Sequence, residues 1–459
     1  MISQLKSYNK DIAKKIRHEK YCKMAATDYA FYRGTDHLYW ADFSRDKRLE
    51  KFSGPKTKTW LQGDLHAYNF GSFDNDDDDL VYGLNDFDEG VVSDYQFDVW
   101  RMAISLILIS RQNGGSKKSV EQALVRTFAK SYLKQLSALR GTDKEDRIAY
   151  TADKTSPPLK DFMKEVDNNN TESRRDMLLK WTKAGKFNYG GKKKDKLGKP
   201  TARERQAVTE AIQGRKGEKS QYRRTLEGPL RKEKSGHFRV EDVARRLLAG
   251  TGSLGTNRYY VLLAGKKHAG KKSKNKHTSD LILDVKHEGQ AAARPYLSKA
   301  DLAFYRFDSE AARTVQAYRA LGKHTDDYLG WVELPALAGY PAGSYAIRER
   351  SPEKDSYPAL TVELEGRKKL SLKKKSNFES MCKQWGRILA TSHARADKDF
   401  KAGRLQYSFE KEVVKRTKGK QKAFCDLVCQ VAASYADQVK KDYQHFTGWF
   451  DTSGCPEPE

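Results

Sequence analysis

Asp64 and Asn69 stand five residues apart in Gly63-Asp64-Leu65-His66-Ala67-Tyr68-Asn69, and seventeen residues later Asn85-Asp86-Phe87-Asp88-Glu89 supplies a second acidic group. Such a set suits phosphoryl transfer. One carboxylate orients a hydroxyl and accepts its proton, and a cluster of oxygens holds magnesium against phosphates. Turn shaping by Asp64 and Asn69, or capping by Asp86, would account for either motif alone. The two in this order favour chemistry. His66 reads as a brace of its loop and not as a ligand.

A third element is Gly250-Thr251-Gly252-Ser253-Leu254-Gly255. A dinucleotide fold needs a helix after such glycines, but the following Arg258-Tyr259-Tyr260-Val261-Leu262-Leu263 is strand-like. A glycine-rich turn between strands, with backbone amides over phosphates, fits better. The preceding Val243 to Ala249 fits either helix or strand. Further on, Leu281-Ile282-Leu283-Asp284-Val285-Lys286 places a lysine on an apolar strand, where an ammonium is costly unless it meets an anion.

The elements that must position these residues follow from periodicity. Trp60-Leu61 opens a short strand, Asp64 to Asn69 is loop, and the acidic run Asp74 to Asp79 reads as a hairpin tip before the strand Leu80 to Leu84. Gln96 to Ser110 suits a buried helix and Val120 to Leu139 an amphipathic one. Lys183 to Lys234 carries many cations and little apolar periodicity, which predicts a basic insertion, partly disordered or laid on the surface. Strand Ser344 to Arg348 and the helical run Phe424 to Phe446 complete the pattern.

With 459 residues and a formal charge of +26, the chain can bury a large core and attracts anions at long range. The N-terminus lacks the apolar core of a signal peptide. The longest apolar stretch, Val99 to Ser110, is interrupted by Arg101 and falls short of the roughly 20 residues of a membrane span. Five cysteines without a Cys-x-x-Cys pair make a reduced, cytoplasmic setting the simplest expectation, with Cys425 and Cys429 as buried packing.

Gly63-Asp64-Leu65-His66 through Asn69 resembles the catalytic loop of the aminoglycoside-phosphotransferase branch of protein-kinase-like enzymes, and Asp86-Phe87-Asp88 resembles their metal-binding strand end. Together with Phe31-Tyr32-Arg33-Gly34, Gly250 to Gly255, Ala390-Thr391-Ser392-His393-Ala394-Arg395 and Ala433 to Gln438, these motifs resemble a bacterial family of unknown function. The resemblance spans nearly the whole chain except the basic insertion.

It implies an α+β, two-lobed protein-kinase-like fold in circularly permuted order, with the catalytic-loop lobe first and the glycine-loop lobe later. Segments 1–60 and 61–182 would begin the helical catalytic lobe, 183–235 would be the insertion, 236–350 the β-rich nucleotide lobe, and 351–459 the helices that complete the first lobe. Asp64 would be the catalytic base. Asn69 and Asp86 would hold Mg2+ or Mn2+, with Asp88 and Glu89 available for a second ion.

By the same resemblance Gly250, Gly252, Ser253, Gly255 and Lys286 would hold ATP. A hinge near Ala346-Ile347-Arg348 would meet its adenine, and Glu310 or Gln316 would stand where a helix glutamate usually holds the lysine. The implied activity is an ATP- and magnesium-dependent phosphotransferase with an unspecified acceptor. The alternatives are an adenylyl transferase on the same fold, a nucleotide- or nucleic-acid-binding protein with a non-catalytic body whose insertion takes a polyanion, and a two-metal phosphoesterase opening on Asp64-Leu65-His66. The last lacks the further ligand motifs it would need downstream.

Overall fold

Apolar residues at helical spacing build the largest core. Leu124, Phe128, Tyr132 and Leu136 recur every four residues along helix Lys118–Leu139 and face Met381, Trp385, Ile388 and Leu389 of helix Lys375–Arg395. Helix Gln96–Gln112 is buried nearly all round, and helix Gln421–Trp449 closes over it with Phe424, Val428, Val431 and Phe446. The computed structural model describes the chain apart from residues 76–78, 116, 170–173, 192, 216, 248–254, 266–279, 323–325, 338, 351–353, 365, 399, 401–404, 454 and 456–459.

Two small antiparallel pairs ride on this helical body. Strand Lys58–Leu61 pairs with Val91–Asp94, and Phe70–Asp74 pairs with Leu80–Leu84. A separate six-stranded antiparallel sheet has the spatial order Gly330–Leu334, Gly343–Glu349, Leu281–His287, Arg258–Leu263, Val240–Arg246, Leu197–Gly198. Of the ambiguous stretch before the glycines, Val243 to Arg246 is strand, and residues 248–249 lie outside the described ones. The chain is of mixed α+β class, and among the described residues no helix is long and apolar enough to cross a membrane.

Alternation along the strands gives the sheet two different faces. One face, with Tyr259, Val261, Leu283, Val285 and Ile347, packs against Val208 and Ile212 of helix Ala202–Gln213 and against Tyr222 and Leu226. Those covering residues lie in the stretch read as a partly disordered insertion. Its cations hide an amphipathic helix, started by a capping box between Thr201 and Glu204, whose apolar side belongs to the core. The opposite face takes Met177, Leu178 and Trp181 against Tyr260, Leu262 and Ile282, then turns polar at Arg258, Asp284 and Lys286.

The structure adds a bridge that the cysteine spacing does not suggest. Tyr21 packs edge-on against Phe446 and Trp449, so helix Lys14–Ala25 meets the end of the last helix, and Cys22 forms a disulfide with Cys455 across 433 residues. Cys382, Cys425 and Cys429 are free and buried. With this bridge present, the cysteines no longer argue for a reduced compartment.

Candidate active site

The two acidic loops are neighbours because of the strand pairs that flank them. Leu61 pairs with Val91 and Phe70 with Leu84, so loop 62–69 and loop 85–90 leave the same ends of the two small sheets. The Asn85 N–H donates to the Asn69 carbonyl at 3.1 Å, and the Gln62 side-chain amide donates to the Asp86 carbonyl. Gly63 has φ +93°, and a Cβ there would lie 2.0 Å from the Glu89 carbonyl oxygen. Only glycine satisfies both the backbone angle and the close approach.

Asp64 is held by a cation from inside the helical body. Arg101, wholly buried, donates from Nε to Asp64 Oδ1 at 2.7 Å and again from Nη2, while the same guanidinium stands 3.1 Å from the Asp36 carboxylate. The second Asp64 oxygen is 3.8 Å from His66 Nε2. Burial pushes Asp64 up to about 6, against the pull of Arg101 and with a further push from Asp86. Burial, then Arg33 and Arg101, drives His66 well below the usual histidine range. His66 is therefore neutral.

A second buried network shapes the turn just before Asp64. Asp98 accepts from the Gln62 N–H at 2.7 Å and the Gly63 N–H at 3.1 Å, and stands 3.1 Å from His393 Nε2. His393 Nδ1 is 2.8 Å from the Tyr132 hydroxyl, and its carbonyl accepts from Thr59 Oγ1. The motif Ala390 to Arg395 thus acts on the loop through Asp98.

The oxygen donors converge from both loops. Asn69 gives its side-chain N–H to the Asp64 carbonyl at 2.8 Å, which leaves its side-chain oxygen to another partner. Among the described residues the Asp86 carboxylate has no hydrogen bond or ion pair. Arg258, Arg348 and Lys354 act on this half-buried carboxylate without a direct ion pair, so its oxygens, with that of Asn69, remain open to a hard divalent cation such as Mg2+ or Mn2+. Glu89 turns aside: its carboxylate accepts from the Ala292 N–H, and burial raises it to about 7, so it braces the loop end against the turn that follows strand Leu281–His287.

The sheet meets these loops through its polar face. Lys286 sets its ammonium directly on the Asp88 carboxylate. Arg258, opposite Lys286 in register, pairs with Asp284, holding that carboxyl down to about 2 against the upward effect of burial. Arg348 donates to the Tyr318 hydroxyl, and Tyr318 donates to the Asn85 carbonyl at 2.8 Å. So Arg348 turns its side chain into the acidic region, where the sequence suggested only a backbone hinge. Burial raises Glu288, while Lys286 and Arg313 pull it back.

Arg313 ties the two sides together. It donates to the carbonyls of Gly90 at 2.7 Å, Asp88 at 2.8 Å and Gly289 at 3.0 Å. Glu310 pairs with Arg313 and accepts from the Tyr305 hydroxyl, so it does not serve Lys286. Gln316 carries no charge, and Lys286 pairs with Asp88 while acting on Glu288. Gly250, Gly252 and Ser253 lie outside the described residues. Gly255 is described, with φ +93° and a neighbourhood formed by Ile12 and Ile16.

Asp36, Asp98, Arg101, Glu288 and Arg313 stand outside the motifs legible in the sequence. Arg101 did leave a signal, as the one cation inside the apolar run Val99 to Ser110. Asp98, one position before that run, belongs to the same signal. A charge that interrupts a fully buried helix needs a partner, and here the partners are the loop's own groups.

The geometry defines an α+β protein with an acidic two-loop site faced by a lysine-bearing sheet. The chain belongs to a family of uncharacterised proteins conserved in bacteria, DUF2252, whose model matches residues 13–448. No curated protein and no solved structure matches it.

Proposed function

We propose that the chain is an ATP- and magnesium-dependent phosphotransferase of protein-kinase-like type, with its lobes in circularly permuted order. The contact of Lys286 with Asp88 carries this reading. A triphosphate with its metal, placed between that ammonium and the carboxylates, would satisfy both sets of charges at once. Asp64 fits the role of base because Arg101 engages one oxygen and leaves the other to a hydroxyl. Asn69 and Asp86 would hold the metal, which supplies charge neutralisation at the phosphates, and Asp88 would release Lys286 to them.

Incubation with ATP labelled at the γ or the α phosphate, with and without magnesium, tests the proposal. Transfer of γ label that depends on the metal supports it. Transfer of α label assigns adenylyl transfer instead. A second reading, a nucleotide-binding body without transfer, draws support from helix Glu310–Leu321, which brings no carboxylate to Lys286. Nucleotide binding without movement of either label would select it.

A further inference from the structure

Lys20 lies on helix Lys14–Ala25 and is only 4% exposed. Its ammonium stands 5.7 Å from the centroid of the Tyr8 ring, and among the described residues it has no ion pair or hydrogen bond. The charges that act on it are those of Glu89 and Asp64. Both are already engaged elsewhere, Glu89 with the Ala292 amide and Asp64 with Arg101. A buried ammonium with no direct ion pair is costly, so this position favours an anionic ligand.

Two rings stand beside this ammonium. Tyr8, 43% exposed, stacks on His37 with ring centroids 3.9 Å apart. His37 follows Asp36, which shares Arg101 with Asp64. Burial, then Lys20 and Arg101, pushes His37 down to about 3, so the ring under Tyr8 is neutral and Lys20 is the cation beside it. The same N-terminal segment touches Gly255 through Ile12 and Ile16. Lys286 meets Asp88, whereas Lys20 makes no contact with that carboxylate among the described residues.

We infer that Lys20 and Tyr8 form an acceptor subsite, which takes a small hydroxyl compound bearing a carboxylate or phosphate beside the reacting hydroxyl. This rests on the phosphotransferase reading. In the reaction the acceptor oxygen bonds to the γ phosphorus and its proton passes to Asp64. The bond from that phosphorus to the β–γ bridging oxygen breaks, and ADP leaves with the electron pair. Lys20 holds the acceptor's anionic group and half-exposed Tyr8 covers its carbon frame.

Thermal unfolding of the full chain tests the subsite with inorganic phosphate and malonate as separate probes, each with and without magnesium and a non-hydrolysable ATP analogue. One or both anions should raise the wild-type midpoint, and which one does so tells phosphate from carboxylate. Lys20→Met should weaken that anion at least about tenfold while keeping the nucleotide's own shift, and Lys20→Arg should restore part of it. No anion effect in the wild type, or an equal effect in Lys20→Met, overturns the subsite. Loss of the nucleotide shift in Lys20→Met also overturns it, by assigning Lys20 to the nucleotide. If the wild type shows no nucleotide shift, the phosphotransferase reading fails, and the assignment of any bound anion to an acceptor fails with it.

Discussion

Arg101 Nε donates to Asp64 Oδ1 at 2.7 Å while the same guanidinium stands 3.1 Å from Asp36 Oδ1, so one buried cation serves two carboxylates. Removing it would leave both acids in the core without a counter-charge. Arg101→Leu should therefore lose about 3–5 kcal/mol of stability, measured by urea unfolding. A loss below about 1 kcal/mol would show that water reaches the pair.

Asp64→Asn keeps the size of the side chain and removes the base. Nucleotide binding should persist, while label transfer should fall by roughly 10²–10⁴-fold, the usual span for a general base. Unchanged transfer would take Asp64 out of the reaction.

The pH profile follows from the same carboxyl. Asp64 must be ionised to accept a proton, and its folded value is about 6, so kcat/KM should rise with pH and level off above about 6. The stability effect has the opposite sign. An acid raised in the folded state binds more protons folded than unfolded, so its contribution falls as pH climbs from about 4 to about 6. A rate that is flat across pH 5 to 7 would contradict the assignment.

Lys20 makes a prediction in stability that needs no substrate. Burial, opposed by Glu89 and Asp64, lowers it to about 8. Between about 8 and 10.5 the unfolded chain binds the extra proton, so stability attributable to Lys20 rises with pH through that window. Below about 8 the full penalty applies. Lys20→Met should thus melt a degree or more higher at pH 7, with the gain fading above about pH 10. A lower midpoint at pH 7 would mean that the ammonium is well paired.

Metal dependence isolates Asp86. Asp86→Asn, or chelation of magnesium in the wild type, should each remove the metal-dependent part of the ATP-induced rise in Tm. If both leave it intact, the oxygens of Asn69 and Asp86 do not hold the ion.

The basic stretch needs a gentler test than deletion, because Val208, Ile212, Tyr222 and Leu226 cover one face of the sheet. Removing 202–225 should yield insoluble chain by exposing Tyr259, Val261, Leu283 and Val285. Replacing the exposed cations Lys219, Arg224, Arg231, Lys232 and Lys234 with Gln should preserve the fold and ATP binding. If this surface takes a polyanion, those changes should weaken its binding and flatten the salt dependence.

The residues legible in the sequence were those joined by short connections. Asp64, Asn69 and Asp86 come together because two small strand pairs close around them, and strand alternation and turn residues mark such pairs locally. Helices Gln96–Gln112, Lys118–Leu139 and Gln421–Trp449 were readable because a repeat of 3.6 residues depends only on neighbours along the chain. Periodicity does not report what a buried charge meets. Asp98 reaches His393 across 295 positions, Lys286 reaches Asp88 across 198, and Lys20 stands near Glu89 only after the first helices fold onto the body. Those meetings are set by packing of the whole core. The cations of 183–235 hid an amphipathic helix because charge density masks a narrow apolar stripe until a sheet is there to receive it.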